Sequence, residues 1–367
     1  MHVVMLSKAC VVGQYQTKLE ELARLPNIKL TVLVPPIWRD ERGVVPFERA
    51  HTRGYTLLMQ PIRFNGQFHW HYYPTLSQTL DQLRPDIVHV DEEPYNLATF
   101  LALRAAERID AKTLFFTWQN LVRKYPPPFD WMEAYAYRHV DHAIAGNTEA
   151  VEVLRTKGYR GGVSIIPQFG VDADHFSPAT PMPRKLFRIG YAGRLVEEKG
   201  VQILLRAVAG LDGDWELRLQ GSGGPYKSAL QQLAHELHID HRVNFDSPIP
   251  SVGMPGYYRR LDVLVLPSLT RPNWKEQFGR ALIEAMACEV AVIGSSCGEI
   301  PNVIGDAGLI FPEGDVEALR AHLELLRDHP LQRMDFGRCG RERVLAQYTQ
   351  ACIAQETYAV YQSLISV

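Results

Sequence analysis

The chain has 367 residues, of which 46% are hydrophobic and 22% charged, and its formal net charge at pH 7 is -2. This length allows two domains of ordinary size, each with its own core. A charge so close to zero gives no global electrostatic reason to bind nucleic acid or an anionic membrane. No apolar run approaches the ~20 residues of a membrane span. The five cysteines are odd in number and widely spaced, which favours reduced thiols in a cytoplasmic protein.

The first half of the chain alternates strand-like and helix-like segments. Strands are predicted at residues 3–6, 28–34, 86–90, 112–117, 142–145 and 163–166, with helices between them, for example at 97–108 and 148–157. Such alternation predicts a parallel sheet covered by helices on both faces. Ligands of these sheets bind beyond the carboxyl ends of the strands. The loop after the first strand, which contains Gly13, is therefore a candidate ligand contact.

Residues 35–74 interrupt this alternation with eight aromatic residues, among them Trp70, and several arginines. A connection of this length is often functional. A hairpin whose aromatics pack on the sheet explains most of these residues, while the loop stays a candidate ligand site. Glu92 and the run Trp118-Gln119-Asn120 follow two predicted strands and are further candidate ligand contacts, although acidic residues there also cap helices. No residue is assigned as a general base.

The second half restarts the alternation with a strand at 187–192, a loop at 193–200 and a helix at 201–211. Gly193 lets backbone amides approach an anion, and the following helix begins with its positive end at the loop. Arg194 and Lys199 could stabilise the negative charge of a bound phosphate, although two such cations alone are more often solvated. The next strand, 215–220, leads to the turn Gly221-Ser222-Gly223, which is also close enough for phosphate or nucleoside.

Two glutamates lie in a strand, helix, strand unit that spans residues 263–293. From Phe278 the apolar residues fall at 278, 281, 282, 285 and 286, which predicts a helix with one core-facing stripe. Glu276 stands at its entrance, and Glu284 eight positions later lies about 80° round and roughly 12 Å along, so both could face one ligand. The alternative is an exposed ion-pair ladder, because Arg280 lies four residues from each glutamate.

The glutamates, with Phe278-Gly279 and Ala-Met-Ala at 285–287, resemble the donor-site signature of family-four glycosyltransferases, which have the GT-B fold. The resemblance implies that Glu276 holds sugar hydroxyls and Glu284 the ribose. The loop at 193–200 is similar to the family's second signature, in which Arg194 and Lys199 clamp the donor diphosphate. The family usually has glycine where Gln277 stands, a difference that could alter the accepted sugar. The resemblance is strong over 187–330 and mostly architectural over 1–175.

The resemblance implies an α/β GT-B fold of two Rossmann-like domains whose parallel sheets face a cleft. Residues 1–172 form the acceptor-binding domain and 173–348 the donor-binding domain, and a helix at about 349–367 packs back on the first. The implied catalytic residues are Arg194, Lys199 and Glu276. The implied donor-binding residues are Gly193, Gly221, Ser222, Gly223, Gln277, Phe278, Gly279, Glu284 and Gly13. The acceptor candidates are Trp118, Gln119, Asn120, Glu92 and Trp70.

The implied activity is that of a retaining hexosyltransferase, which moves a sugar from a nucleotide-sugar co-substrate to a hydroxyl acceptor. The acceptor is a saccharide, lipid-linked sugar or small molecule of polysaccharide or glycoconjugate biosynthesis. We expect no cofactor, no nucleic acid partner and no metal, since aspartate pairs such as Asp172 and Asp174 recur by chance at turns. A cytoplasmic location is expected, peripheral to the membrane where the acceptor is lipid-linked. The alternatives are a nucleotide-sugar epimerase of the same fold and a non-catalytic partner subunit that binds the donor.

Overall fold

The structure, a computed structural model, describes residues 1–40, 43–179 and 186–366. Its strands are β1 (His2–Leu6), β2 (Lys29–Val34), β3 (Ile37–Asp40), β4 (Gly43–Pro46), β5 (Thr56–Met59), β6 (Ile87–Val90), β7 (Lys112–Thr117), β8 (His142–Ala145), β9 (Gly162–Ile165), β10 (Phe187–Ala192), β11 (Trp215–Gln220), β12 (Val243–Asp246), β13 (Val263–Leu266), β14 (Ala291–Ser295) and β15 (Leu309–Phe311). Its α-helices are α1 (Thr17–Ala23), α2 (Leu76–Leu83), α3 (Leu97–Glu107), α4 (Phe129–His139), α5 (Thr148–Thr156), α6 (Val201–Ala209), α7 (Pro225–Glu236), α8 (Met254–Tyr258), α9 (Arg280–Ala287), α10 (Ile300–Ile304), α11 (Val316–Asp328), α12 (Pro330–Gln347) and α13 (Gln350–Ile365).

The chain divides into two compact bodies. The first body contains Met1–Gly170 and Gln350–Val367, and the second contains Val171–Thr349. These limits lie within two residues of the domain boundaries predicted at 172 and 348. Residue 367, the last of the predicted terminal helix, lies outside the described residues.

The first body is built on a seven-stranded parallel sheet with the order β5-β2-β1-β6-β7-β8-β9. Side chains alternate between its two faces, as the period of a strand requires. Val3 of β1 packs in one core cluster, which also contains Tyr361 of α13. Val4 packs in a second cluster on the other face, with Ala102 of α3. The C-terminal helix is therefore part of the hydrophobic core of the first body.

The segment 35–74 forms a hairpin and an additional strand. β3 and β4 pair antiparallel, as the hairpin interpretation predicted. β5 joins the edge of the main sheet beside β2, and the sequence did not predict it, because its four residues are too short to show a period of two. The aromatics of the segment divide between interior and surface: Trp38 is buried, whereas Phe68 and Trp70 are exposed.

The second body is built on a six-stranded parallel sheet with the order β12-β11-β10-β13-β14-β15. Two α/β bodies with parallel sheets confirm the predicted fold class. The chain order reverses direction between β10 and β13, and such a reversal opens a crevice at the carboxyl ends of the strands. The loops that follow β10, β11, β13 and β14 therefore meet at one edge of this sheet.

Helix α9 begins later than the sequence predicted. Gly279 precedes it with a φ of 80°, a left-handed conformation that glycine adopts readily, so the helix starts at Arg280 and not at Phe278. Glu276 therefore lies in the loop before the helix. The helical angle and rise calculated between Glu276 and Glu284 were wrong for this reason, and tertiary contacts set the position of each carboxylate.

Candidate functional site

The loop from β10 to α6 packs tightly against the end of β13. A short 3-10 helix, Glu197–Lys199, is followed by Gly200 with a φ of 69°. A Cβ atom at Gly200 would lie 1.8 Å from the carbonyl oxygen of Pro267. Only glycine fits both this backbone conformation and this approach. The contact sets Lys199, the residue before it, at the carboxyl end of the sheet.

Lys199 and Glu276 form an ion pair on this edge of the sheet. The Lys199 Nζ lies 2.6 Å from the Glu276 Oε2, and the hydroxyl of Ser268 donates to the same oxygen at 2.8 Å. Glu276 is only 7% exposed. The Lys199 ammonium also lies 4.8 Å from the centre of the Trp274 ring. Two donors therefore orient a buried carboxylate in the loop where the sequence predicted a sugar contact.

The backbone of Glu276 is held by the turn that follows β14. Glu299 donates its N–H to the carbonyl of Glu276 at 3.1 Å. Gly298 has a φ of 55°, and a Cβ atom there would lie 2.1 Å from the same carbonyl oxygen. The two loops can approach this closely because Gly298 has no side chain. The main chain and the side chain of Glu276 are thus both positioned within the second body.

Glu284 is held separately, on helix α9. Its Oε2 accepts a hydrogen bond of 2.8 Å from the buried hydroxyl of Tyr258, and its Oε1 accepts one of 2.8 Å from Arg280. Burial, and then the Glu284 carboxylate, raise the pKa of Tyr258 well above its usual value. The Arg280–Glu284 pair of the alternative interpretation is therefore present. An exposed ladder is not, because Glu276 and Glu284 are 7% and 8% exposed.

The glycine turn after β11 lies directly against the loop after β10. Leu195 donates its N–H to the carbonyl of Ser222 at 3.0 Å. A Cβ atom at Gly221 would lie 1.8 Å from the carbonyl oxygen of Gly193. Ser222 and Gly223 are exposed. The two glycine-containing loops therefore form one continuous backbone surface at the carboxyl edge of the sheet.

The other donor-binding candidates differ in their surroundings. Arg194 is near that surface, with its side chain 43% exposed and its Nη2 3.8 Å from the Glu198 Oε1. Gln277 is exposed. Phe278 is 8% exposed. Its ring packs edge-on against Tyr348 at 5.7 Å. Its role in the fold is therefore to pack in the interior.

Gly13 belongs to the first body, whereas the other donor-binding candidates belong to the second. It begins a short 3-10 helix, Gly13–Gln16. Its N–H donates to the Glu48 Oε2 at 2.7 Å, and a Cβ atom there would lie 2.7 Å from the Ala50 Cβ. The Gly13 amide, which the sequence predicted as a ligand contact, therefore donates to Glu48 in this structure.

The first body contains a pocket of about 220 Å³ at the carboxyl ends of β1, β6 and β7. Glu92 and Trp118, two of the acceptor candidates, line it together with Lys8 and Phe68. In the sheet order, β1 and β6 are neighbours at which the chain reverses direction, so the pocket lies where such folds place ligands. Sequence reasoning missed Lys8, although its place directly after β1 could have identified it.

Glu92 is the centre of a buried charged group beside this pocket. It forms an ion pair with Lys8, and the His71 Nε2 lies 3.5 Å from its Oε1. Burial alone would raise the pKa of Glu92, but Lys8 and His71 outweigh burial and lower it to about 2. Glu92 is therefore ionised throughout the physiological pH range.

The neighbouring carboxyl groups respond to burial in the opposite direction. Burial raises the pKa of Glu93 to about 7, although the Thr117 hydroxyl and the Trp118 N–H donate to it. Burial also raises the pKa of Asp91, which accepts hydrogen bonds from Ser7 at 2.5 Å and Gln168 at 3.0 Å. Their bonds to the first body's own loops give these groups a structural role.

The five acceptor candidates do not all lie at one place. Trp118 donates from its indole N–H to the Gln168 side chain at 3.0 Å, beside the pocket. Gln119 donates to the carbonyl of Leu121, and Asn120 donates to Glu149 at 3.2 Å. Trp70 packs edge-on against Phe129, with 4.8 Å between ring centres. The structure therefore brings Glu92 and Trp118 together at the pocket and places the other three against other parts of the body.

Over residues 1–40, 43–179 and 186–366, no three His, Cys, Asp or Glu side chains are grouped so that they could hold a metal ion. In the same part of the chain, no helix combines the length and the apolar character needed to cross a bilayer.

The chain matches two family models that together cover most of its length. The model described as Glycosyl transferases group 1 matches residues 172–343, and the Glycosyl transferase 4-like domain matches residues 16–167. The first match lies in the second body, and the second match lies in the first body. Each body is therefore matched by its own glycosyltransferase family model.

Among curated proteins, the D-inositol 3-phosphate glycosyltransferase of Corynebacterium diphtheriae is 31% identical over 342 residues, covering 87% of this chain and 73% of that protein. A GDP-mannose-dependent monoacylated alpha-(1-6)-phosphatidylinositol monomannoside mannosyltransferase of Corynebacterium glutamicum is 30% identical over 53% of this chain and 55% of its own length. The chain spans about half the length of several of the curated relatives it matches, for example 46% of the D-inositol 3-phosphate glycosyltransferase of Corynebacterium jeikeium.

Among solved structures, HepE of Anabaena in complex with UDP has a TM-score of 0.74 at 16% identity, and the match covers 99% of this chain and 100% of that one. At this identity the likeness concerns the fold, and it agrees with the GT-B architecture predicted from the sequence. The two family models and the 31% identity over most of the chain establish the family. The chain belongs to the group 1 glycosyltransferases of the GT-B fold.

Proposed function

We propose that this protein transfers a hexosyl group from a nucleotide-sugar donor to a hydroxyl acceptor with retention of anomeric configuration. The donor binds to the second body, and the first body binds the acceptor. The observation that carries the donor assignment is the buried Glu276 carboxylate, which Lys199 and Ser268 orient at the carboxyl edge of the second sheet. One relative is a GDP-mannose-dependent mannosyltransferase, which also supports a nucleotide-sugar donor.

The second body has a chemical group suited to each part of the donor. The glycine-containing loops after β10 and β11 suit the diphosphate, because backbone amides and the cations Arg194 and Lys199 can stabilise negative charge. Glu276 suits the sugar hydroxyls, and Glu284 suits the ribose hydroxyls. A carboxylate is a strong acceptor for such hydroxyl donors.

The proposed chemistry needs no side-chain nucleophile. The acceptor oxygen forms a bond to the anomeric carbon on the face from which the diphosphate departs, and the bond from that carbon to the diphosphate oxygen breaks. The acceptor hydroxyl's proton passes to the departing diphosphate oxygen. The chain contributes the positioning of the sugar by Glu276 and the stabilisation of the leaving charge by Arg194 and Lys199.

Two conservative substitutions test the donor assignment. Glu284→Gln should weaken binding of the free nucleoside diphosphate and of the nucleotide sugar alike, since both contain the ribose. Glu276→Gln should spare the diphosphate and weaken the nucleotide sugar. Hydrogen bonds to a charged group contribute ~1.5–3 kcal/mol, so each loss should exceed about tenfold in Kd. Calorimetric titration with UDP, GDP and their sugars measures both.

Glu317→Gln is the matched control for Glu284→Gln, because Glu317 pairs with Arg320 on an exposed helix face of the same body. It removes a helical ion pair of similar spacing without touching the proposed site, and it should leave both affinities unchanged. Equal and negligible changes in all three variants would contradict the donor site.

Transfer that requires an added acceptor would separate this function from that of an epimerase or of a partner subunit without turnover.

The acceptor assignment is tested separately at Trp118. Substitution by leucine should raise the acceptor KM or change acceptor preference and leave donor affinity within about twofold, because Trp118 lines the pocket of the first body. Trp70→Leu is the control, since Trp70 packs on Phe129 instead. Loss of donor affinity with unchanged acceptor kinetics in Trp118→Leu would reverse the assigned roles.

A further inference from the structure

The Lys199 ammonium has a second partner besides Glu276, and this partner carries no charge. Its Nζ lies 2.6 Å from the Glu276 Oε2 and 4.8 Å from the centre of the Trp274 ring. At such a distance the negative face of an indole attracts an ammonium, and tryptophan is the strongest of the aromatic residues in this contact. Trp274 is half-buried and the Lys199 side chain is 15% exposed, so water screens the attraction only in part.

A tight turn holds Trp274 in this position. Arg271 donates its N–H to the carbonyl of Trp274 at 2.8 Å, and Trp274 donates its N–H to the carbonyl of Arg271 at 3.1 Å. Pro272 and Asn273 lie between them. These residue types favour such a turn, because proline fixes its own φ and asparagine tolerates turn conformations. The backbone that carries the ring is therefore fixed by local hydrogen bonds.

Two contacts join this turn to the loop that contains Lys199. The Arg271 Nη2 lies 2.6 Å from the Glu197 Oε1, although an exposed ion pair of this kind contributes little by itself. Leu269 donates its backbone N–H to the carbonyl of Glu198 at 2.8 Å. The ring and the ammonium thus belong to two loops that the fold binds to each other on both sides of their contact.

The lack of charge on the ring matters because the expected ligand is an anion. Lys199 and Glu276 together have no net charge, and a second carboxylate in place of Trp274 would make the group negative and repel a diphosphate. The indole attracts the ammonium without adding negative charge. Since an ammonium has three N–H donors, Glu276 and the ring together leave one for a phosphate oxygen.

We propose that Trp274 is a positioning residue for the donor diphosphate: its ring holds the Lys199 ammonium in the orientation that binds the phosphate oxygens. The inference deepens the proposed function and rests on it, because the diphosphate contact of Lys199 belongs to that function. A lysine side chain has many rotamers, and one that is restrained before the donor arrives loses less entropy on binding. Trp274 should therefore affect the affinity for the diphosphate and the rate of transfer.

The test begins with calorimetric titration of the full chain with UDP, GDP and their sugars. Trp274→Leu removes the aromatic face and should raise the Kd of the nucleoside diphosphate and of the nucleotide sugar alike, on the order of tenfold. Trp274→Phe retains a weaker aromatic face and should recover part of this loss. Trp131→Leu, at a tryptophan of α4 that is 55% exposed, is the control and should leave both affinities unchanged.

A second comparison asks whether Trp274 acts through the lysine. In a Lys199→Met background, Trp274→Leu should change nucleoside diphosphate affinity by less than about twofold, because the ring then has no ammonium to hold.

A third comparison uses tryptophans with increasing numbers of ring fluorines, introduced at position 274 alone. Fluorine withdraws electron density from the ring face and changes its shape little, so affinity should fall steadily along the series. This series also tests the inference if Trp274→Leu does not fold, and thermal unfolding of each variant shows whether it does.

Unchanged nucleoside diphosphate affinity in Trp274→Leu would overturn the inference. So would an equal loss in the Lys199→Met background, no trend along the fluorinated series, or a loss confined to the nucleotide sugar, which would mean that the ring contacts the sugar itself. If Lys199→Met weakens the nucleoside diphosphate and Trp274→Leu does not, the diphosphate contact is correct and only the role of Trp274 is wrong. If Lys199→Met leaves that affinity unchanged, both are wrong.

Discussion

Lys199 and Glu276 are joined by a 2.6 Å ion pair although they lie 77 positions apart in the chain. One residue belongs to the loop after β10 and the other to the loop after β13, and these two strands are neighbours in the sheet. Their side chains are only 15% and 10% exposed. The proposed phosphate contact and the proposed sugar contact therefore form one electrostatic unit.

The first prediction concerns this coupling. Lys199→Met should destabilise the second body, because it leaves the buried Glu276 without its ammonium partner, and Glu276→Gln should do the same to Lys199. The double variant should lose less stability than the sum of the single losses, by on the order of 1–3 kcal/mol. Urea unfolding of the four proteins measures the difference. Additive losses would show that the ion pair contributes little to the fold.

The second prediction concerns Arg194. Because its side chain is 43% exposed, Arg194→Ala should unfold at nearly the same urea concentration as the unmodified chain. Its kcat should fall by on the order of 10²–10³, since a donor that stabilises transition-state charge is lost. Arg206→Ala, at an exposed position of α6 in the same body, is the control and should retain turnover. Near-normal turnover of Arg194→Ala would remove it from the diphosphate contact.

The third prediction compares two glycines with similar backbone conformations. Gly200 and Gly213 have φ values of 69° and 76°, but a Cβ atom would meet the Pro267 carbonyl oxygen at 1.8 Å in the first case and nothing within 4 Å in the second. Alanine at Gly213 should cost about 1–2 kcal/mol of left-handed strain. Alanine at Gly200 should cost distinctly more and should also weaken nucleotide binding, because the loop that carries Lys199 must move. Equal losses of stability in thermal unfolding would contradict this close packing.

The fourth prediction follows from the raised pKa of Glu93. Its folded-state value of about 7 lies above the usual 4.5, so the folded protein binds the extra proton between these two pH values. The neutral carboxyl is the stable form when buried, and the ionisation cost therefore grows as pH rises from about 4.5 to 7. Glu93→Gln removes this cost while keeping an acceptor for the Trp118 N–H.

Relative to Glu93→Gln, the unmodified chain should thus lose stability on going from pH 5 to pH 7.5, by on the order of 1–3 kcal/mol. Chemical denaturation at the two pH values measures the change. Glu92 provides the opposite case. Its pKa is lowered to about 2, so its contribution is present above pH 4.5 and is lost as pH falls toward 2. A constant stability difference between the chain and Glu93→Gln across pH 5 to 7.5 would contradict the raised pKa.

The fifth prediction concerns metal ions. Transfer should continue in EDTA, because Arg194 and Lys199 can supply the positive charge that a divalent ion supplies at other phosphate sites. The assay compares initial rates before and after chelation. Loss of activity that Mg²⁺ or Mn²⁺ restores would contradict this prediction and would make Asp172 and Asp174 candidate metal ligands.

The sequence by itself determined the fold class and most strand positions. β7, β10 and β11 lie at the residues predicted for them, because short segments rich in apolar residues between helical segments indicate strands, as a run in β7 and at alternate positions in β11. The family signature around Glu276 and Glu284 can also be recognised from the sequence alone, since it depends on residue types at fixed spacing. The sequence could not show the start of α9, because the φ of 80° at Gly279 reflects local packing rather than periodicity.

Tertiary structure alone decided which side chains meet. The Lys199–Glu276 pair and the Glu92–Lys8 pair each join residues far apart in the chain, the second across 84 positions. In both bodies the meeting point is the place where the order of parallel strands reverses, which brings loops from distant segments to one edge of a sheet. A local sequence pattern cannot identify such neighbours, because strand order and register set the distance between them.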